Sequence, residues 1–186
     1  NQYLDSDQFT VELSDPTSTR QIVLNTSSDI LSEKDVRIAL QHATNKQNIS
    51  DGIFYGLEKP ADTLFASTVP YCDIELEPYV YDLELAGQIL DEAGWKMGSG
   101  NVREKDGQPL NIDLLYNSDS VTEKSIAEYL QSEYQSIGVS LNIHGEEEQS
   151  YRDNMKAGNF DMVFNICWGT PYDPQSSLAA KRAPVY

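Results

Sequence analysis

The chain has 186 residues, with 13 Lys+Arg against 30 Asp+Glu, a formal net charge of −17 and a hydrophobic fraction of 39%. That negative surplus excludes a nucleic-acid partner, because phosphate binding needs clustered Lys and Arg, and it argues against docking on an anionic membrane surface. No run of about 18 apolar residues offers a transmembrane helix. Eleven Tyr, five Phe and two Trp supply large core groups, and a chain of this length buries about 70% of its unfolded surface, enough for one domain or one lobe of a larger protein.

Asn1-Gln2-Tyr3 replaces the expected initiator Met and reads as a cut inside a longer protein. After an irregular start, Gln21 to Asn25 is a plausible strand. Ser32-Glu33-Lys34-Asp35 resembles a capping box, with Ser32 as acceptor, ahead of Val36, Ala39, Leu40 and Ala43 at helical spacing. A second short helix is predicted over Gln47 to Tyr55, with Gly56 as its left-handed stop. Residues 57 to 81 carry Pro60, Pro70 and Pro78 with little periodicity and read as a long ordered loop. Asp82 caps the next helix, whose apolar face is Leu83, Ala86, Ile89, Leu90 and Ala93 and whose stop is Gly94.

Val102 to Tyr116 reads as a hairpin turned at Asp106-Gly107, with Leu110, Ile112 and Leu114 alternating on its second strand. Ser120-Val-Thr-Glu123 is a second capping box, opening a helix that buries Ile126, Leu130, Tyr134 and Ile137 and stops at Gly138. Val139, Leu141 and Ile143 alternate again, completing a βαβ unit. A helix from Glu147 to Ala157, stopped by Gly158, and an apolar run from Phe160 to Ile166 follow. The order gives an α/β or α+β lobe with a mixed sheet, without internal repeats or low-complexity segments.

Little of this chemistry is enzymatic. His42 and His144 lack a partner at i+3 or i+4, so no zinc pair is offered and no metal ligand is assigned. Glu146-Glu147-Glu148 sits at a helix start, where the macrodipole favours anions. Cys72 and Cys167 have no CxxC spacing; two buried thiols are the plainer reading. A Cys167-based enzyme would need His42 or His144 to arrive by folding, and no nucleophile elbow, phosphate-cradling glycine loop or HExxH run is present. We assign no catalytic residue and no cofactor.

Trp168-Gly-Thr-Pro-Tyr172-Asp-Pro174 follows a predicted strand, and ligands of open α/β sheets sit beyond the carboxyl ends of strands. Two aromatics in a proline-stiffened loop would wall a small ligand; equally, Trp168 and Tyr172 would pack on the lobe.

The run Val36-Arg37-Ile-Ala39-Leu40-Gln-His-Ala43-Thr-Asn45-Lys46 resembles the signature of the extracellular solute-binding proteins that serve peptide and nickel ABC importers. Tyr55-Gly56, Pro60-Ala61-Asp62, Tyr81-Asp82, Ala93-Gly94-Trp95, Arg103 to Leu110, Ile137-Gly138 and Phe160-Asp161-Met162 follow in that family's order. Ala61 to Ala66, Val69-Pro70-Tyr71, Gly145 to Glu148 and Trp168 to Pro174 are similar to its nickel-binding branch in particular.

The resemblance implies one lobe of a two-lobed, periplasmic-binding-protein-like fold. Residues 1–186 would be most of the second lobe, a single α/β unit without the first. The implied activity is capture of nickel or a nickel chelate in an interlobe cleft and delivery to an ABC transporter permease, by a periplasmic or extracellular monomer, lipid-anchored if an absent N-terminus carries the cysteine. Trp168 and Tyr172 would contact the ligand. Where that branch can place a histidine ligand, the ungapped match is Tyr186, in Lys181-Arg182-Ala183-Pro184-Val185-Tyr186. A neutral phenol is a poorer nickel ligand than imidazole. Either the histidine is displaced, or the chelator supplies all metal ligands, or the cargo differs, a short peptide being the alternative.

Overall fold

The computed structural model describes residues 18–66 and 71–167, together with 8, 10–12, 14, 16, 69 and 175. Its main sheet is built from β1 (Thr19–Leu24), β5 (Asn111–Asn117), β6 (Ser140–Glu146) and β7 (Met162–Cys167), in the order β1-β7-β5-β6. The pair β5–β6 is parallel from Asn111↔Ser140 to Asn117↔Glu146. β5 also runs parallel to β7, with Leu114 opposite Met162, and β1 closes the other edge antiparallel to β7. A separate three-stranded sheet joins β2 (Lys96–Met97), β3 (Arg103–Lys105) and β4 (Gln108–Pro109). The helices are α1 (Lys34–His42), α2 (Lys46–Ile53), α3 (Leu83–Glu92), α4 (Val121–Ser136) and α5 (Glu148–Ala157). The mixed α/β lobe expected from the sequence is the one observed.

Strand alternation sends two sets of side chains to opposite faces. Ile112, Leu114, Leu141, Met162 and Phe164 meet Val36, Leu40, Leu90, Ile126 and Leu130 in the principal core. On the other face Leu115 and Val163 pack with Tyr151 of α5, flanked by Val23, Met155 and Phe160. Leu114 and Leu115 are consecutive and both buried because β5 is a central strand covered on both sides. Each fully buried Leu, Ile or Phe contributes roughly 1.5–3 kcal/mol of transfer free energy.

Local signals set most boundaries. Asp82 Oδ1 accepts from Leu85 N at 2.9 Å, Asn45 Oδ1 from Asn48 N at 3.0 Å, and Ser120 Oγ from Glu123 N at 3.2 Å. Ser32 departs from its expected role. Its hydroxyl donates to Asp29 O at 2.7 Å, and the N-cap of α1 is Glu33, with no side-chain cap. Glu33 is engaged elsewhere: its carboxylate accepts from Lys105 Nζ at 2.8 Å and Trp95 Nε1 at 3.3 Å. α2 begins at Lys46 and ends at Ile53, two residues short of the expected end, because Tyr55 and Gly56 both take positive φ.

The Asp106-Gly107 turn forms as read, with φ of 53° and 81°. The hairpin's second strand, however, ends at Pro109: Leu110 N still donates to Arg103 O at 2.7 Å, but the Arg103 N–H goes to Gly138 O at 2.7 Å and does not continue the ladder. Leu110, Ile112 and Leu114 are fully buried, but β5 pairs with β6 and β7 rather than with β3. At the end of α4, Gly138 has φ +81°, and a Cβ there would lie 2.6 Å from Met97 Sδ and 2.8 Å from Arg103 Cγ. Cys72 and Cys167 are free thiols; Cys167 is buried, whereas Cys72 is only part-buried. No helix among the described residues is long and apolar enough to cross a membrane.

Candidate functional site

Because β5, β6 and β7 are parallel, their carboxyl ends (Asn117, Glu146 and Cys167) share one edge of the sheet with Thr19, the first residue of β1. Helices α4 and α5 start at this edge, directing their free N–H groups toward it. Asn117 organises the rim. Its backbone N–H donates to Glu123 Oε2 at 2.9 Å, its Nδ2 to Glu148 Oε2 at 2.5 Å, and its Oδ1 accepts from Asp119 N at 2.9 Å. Glu123 is thereby drawn from the reciprocal bond to Ser120 that a capping box would make. Burial pushes the Glu123 carboxyl above its ordinary range, against the Asn117 N–H and the charge of Arg20, while the Glu148 charge pushes it further up.

Tyr116, one residue earlier on β5, brings the phenol end of its ring against its register partner Gly145 of β6; a Cβ there would sit 2.7 Å from the phenol oxygen. Arg20 closes the β1 side. Its Nη2 is 3.1 Å from Glu58 Oε1 and its guanidinium lies 5.2 Å from the Phe54 ring centroid. Beneath the rim, Tyr151 donates to Phe164 O, and burial drives its phenol pKa upward. Thr19, Leu64, Phe65, Ala66, Val69 and Cys167 border a void of about 10 Å³.

Trp168, Tyr172 and Tyr186, the ligand contacts expected from the sequence, lie outside the described residues. Cys167 is 4% exposed, and no histidine borders the void beside it. His42 Nδ1 donates to Val80 O at 2.7 Å, and its ring meets Tyr79 edge-on. His144 Nε2 lies 3.1 Å from Asp113 Oδ1, on a polar, open hollow of about 750 Å³ that reaches Asn111 and Asp161 near the amino ends of β5 and β7. Among the described residues no group of three or more His, Cys, Asp or Glu is placed to hold a metal ion. The sequence reading missed Asn117 and Arg20. An Asn closing a strand before Ser-Asp-Ser is a turn signal that could have marked the first; the Arg20–Glu58 pair had none.

The mixed sheet is flanked by helices, and its carboxyl edge is the side on which open α/β sheets ordinarily hold their ligands. The chain belongs to the bacterial extracellular solute-binding proteins, family 5: the model described as family 5 Middle matches residues 1–184. It is 40% identical over 179 residues to the nickel-binding periplasmic protein of Escherichia coli (strain K12), covering 96% of this chain and 34% of that one. NikA from Brucella suis, solved in complex with Fe(III)-EDTA, matches with TM-score 0.87 and 44% identity over 93% of this chain and 35% of that chain. AppA from Bacillus subtilis, solved with a nonapeptide, matches with TM-score 0.74 and 25% identity over 83% of this chain and 32% of that chain. The chain thus spans about a third of the length of these relatives. Its family is one of solute-binding transport proteins rather than enzymes.

Proposed function

We propose that this chain is the second lobe of a receptor that captures a nickel chelate and delivers it to an ABC transporter permease, without catalysing a reaction. The observation that carries this reading is the graded likeness: 40% and 44% identity to relatives named for nickel or solved with a metal chelate, against 25% to one solved with a peptide. The carboxyl edge bounded by Asn117, Thr19 and Cys167 is where such a lobe presents its ligand surface.

In this reading Trp168 and Tyr172 form the wall against the cargo, and Tyr186 lies near the metal without ligating it. A first lobe supplies the opposite wall. The closed state is favoured to the extent that the chelate binds it more tightly than the open state, and the permease recognises that closed form. The receptor works as a monomer in the periplasm or outside the cell, with a lipid anchor as one means of retention.

Calorimetric titration of the complete protein with free nickel, nickel–histidine and a mixed short-peptide pool tests this. Tight binding of the nickel–histidine complex alone is the expected result. Binding of peptides without nickel overturns it and makes the chain a lobe of a short-peptide receptor, the reading favoured by the match to AppA over 83% of the chain.

A further inference from the structure

Lys46 breaks a local rule. It is the first residue of α2, where the helix dipole is positive and a cation is unfavourable. A residue placed against its own helix is expected to serve the structure elsewhere. Here its ammonium leaves the helix and donates to two acceptors on the 57–66 segment, Ala61 O at 3.1 Å and Asp62 Oδ1 at 2.7 Å. One side chain therefore holds both the backbone and a side chain of that segment.

Two further contacts fasten the same segment. Ser50 of α2 donates its hydroxyl to Glu58 O, and Arg20 of β1 grips the Glu58 carboxylate with Nε at 3.4 Å and Nη2 at 3.1 Å. Thr63 Oγ1 then donates to Phe65 O at 2.6 Å, tightening the turn beyond the last anchor. Within and just past that turn, Leu64, Phe65, Ala66 and Val69 lie on the void that Cys167 borders. The 57–66 segment has no helix or strand of its own, so these bonds do what a backbone ladder does elsewhere.

We propose that Lys46, seconded by Arg20, is a positioning residue for the cargo site: it holds the 58–66 segment against the carboxyl end of β7, fixing the apolar shoulder that Leu64, Phe65 and Ala66 form beside Cys167 and Thr19 at the carboxyl edge. The location of the cargo rests on the function proposed above; the clamp itself does not.

The test uses the complete protein carrying Lys46→Met or Lys46→Arg. The iodoacetamide labelling rate of Cys167, read by mass spectrometry of its peptide, reports whether the segment still covers the thiol. Nickel–histidine titration reports the site. Exposed ion pairs add little to global stability, so the melting temperature of Lys46→Met should stay close to wild type. Its Cys167 should label at least tenfold faster, its affinity for nickel–histidine should fall about five- to tenfold, and Lys46→Arg should recover most of both. Unchanged labelling in Lys46→Met overturns the clamp. Faster labelling with unchanged affinity overturns the positioning role. A large drop in melting temperature overturns it too, by making Lys46 a support of the whole fold. If wild type itself binds neither chelate nor peptide, the receptor reading falls, and labelling still decides for or against the clamp.

Discussion

Arg103 Nη1 donates to Asp91 Oδ1 at 2.9 Å, and the two ends of this ion pair differ in burial: the arginine side chain is 7% exposed and the aspartate 49%. The same Nη1 also donates to Trp95 O at 2.7 Å, and Nε donates to Ile137 O at 2.7 Å. One side chain thus ties the residues after α3 to the carboxyl end of α4, and it does so where Gly138 lets the Arg103 stem pass.

Arg103→Met should therefore cost about 2–4 kcal/mol, because it leaves two buried carbonyls without a donor. Asp91→Asn should cost less than about 1 kcal/mol, since its carboxylate is half in water. The Arg103 hydrogen bond holds the Asp91 carboxyl below its ordinary 3.8. A depressed value means that the pair's stabilisation is present above that pH and disappears as pH falls through the lower folded-state value. Urea denaturation of both variants at neutral and acid pH checks this; equal losses would refute the asymmetry.

Glu123 carries the opposite dependence. Burial raises its folded-state value above the ordinary 4.5, so the native state holds the proton more tightly than the unfolded chain. The associated stability is full below the unfolded value and is lost as pH rises through the folded one. Glu123→Gln retains an oxygen for the Asn117 N–H and removes the buried charge. It should match wild type near pH 4 and exceed it at pH 7 in chemical denaturation; a variant less stable at pH 7 would show that the charge is needed there.

Gly145 and Tyr116 should be coupled. Gly145→Ala forces the phenol off the β6 backbone and should cost about 1–3 kcal/mol. In a Tyr116→Ala background the same substitution should cost far less, and a double-mutant cycle reads the difference directly. Additive losses would mean that the ring moves aside freely.

Trp168→Ala and Tyr172→Ala, in the complete protein, should each weaken nickel–histidine binding about tenfold or more while leaving the melting temperature nearly unchanged. The second lobe alone should bind the same complex much more weakly than the complete protein, since half of the proposed contacts would be gone. Equal affinities in side-by-side titrations would rule out an interlobe site.

Sequence reading succeeded where a signal is local and failed where it depends on a distant partner. Asp82 and Ser120 announce their helices because the acceptor and the N–H it caps lie three residues apart. Ser32 offers the same pattern, but Asp29 O takes its hydroxyl and Lys105 takes Glu33. Alternation at Leu110, Ile112 and Leu114 correctly gave a strand with one face inward, yet alternation does not name the neighbouring strand, so β5 was assigned to the wrong pair. The consecutive apolar residues Leu114 and Leu115, both buried in the structure, were the hint of a central strand that the sequence carried. Arg103–Asp91, Arg20–Glu58 and His144–Asp113 join residues on different elements, and nothing in the linear order marks them. For the site, the family-like motifs led to Trp168, Tyr172 and Tyr186, whereas Lys46 sat within the quoted signature with its grip on Asp62 unsuspected.

The antiparallel pairing of β1 with β7 joins the first described strand to the last, Thr19 to Cys167 and Leu24 to Met162. Until β7 is in place, Ile22, Val23 and Leu24 of β1 have no partner strand. Its closure pays a long-loop entropy that the local α4–β6 contacts do not. A stalled or prematurely ended chain therefore carries an apolar strand without its partner, a hazard for aggregation that only completion of β7 removes.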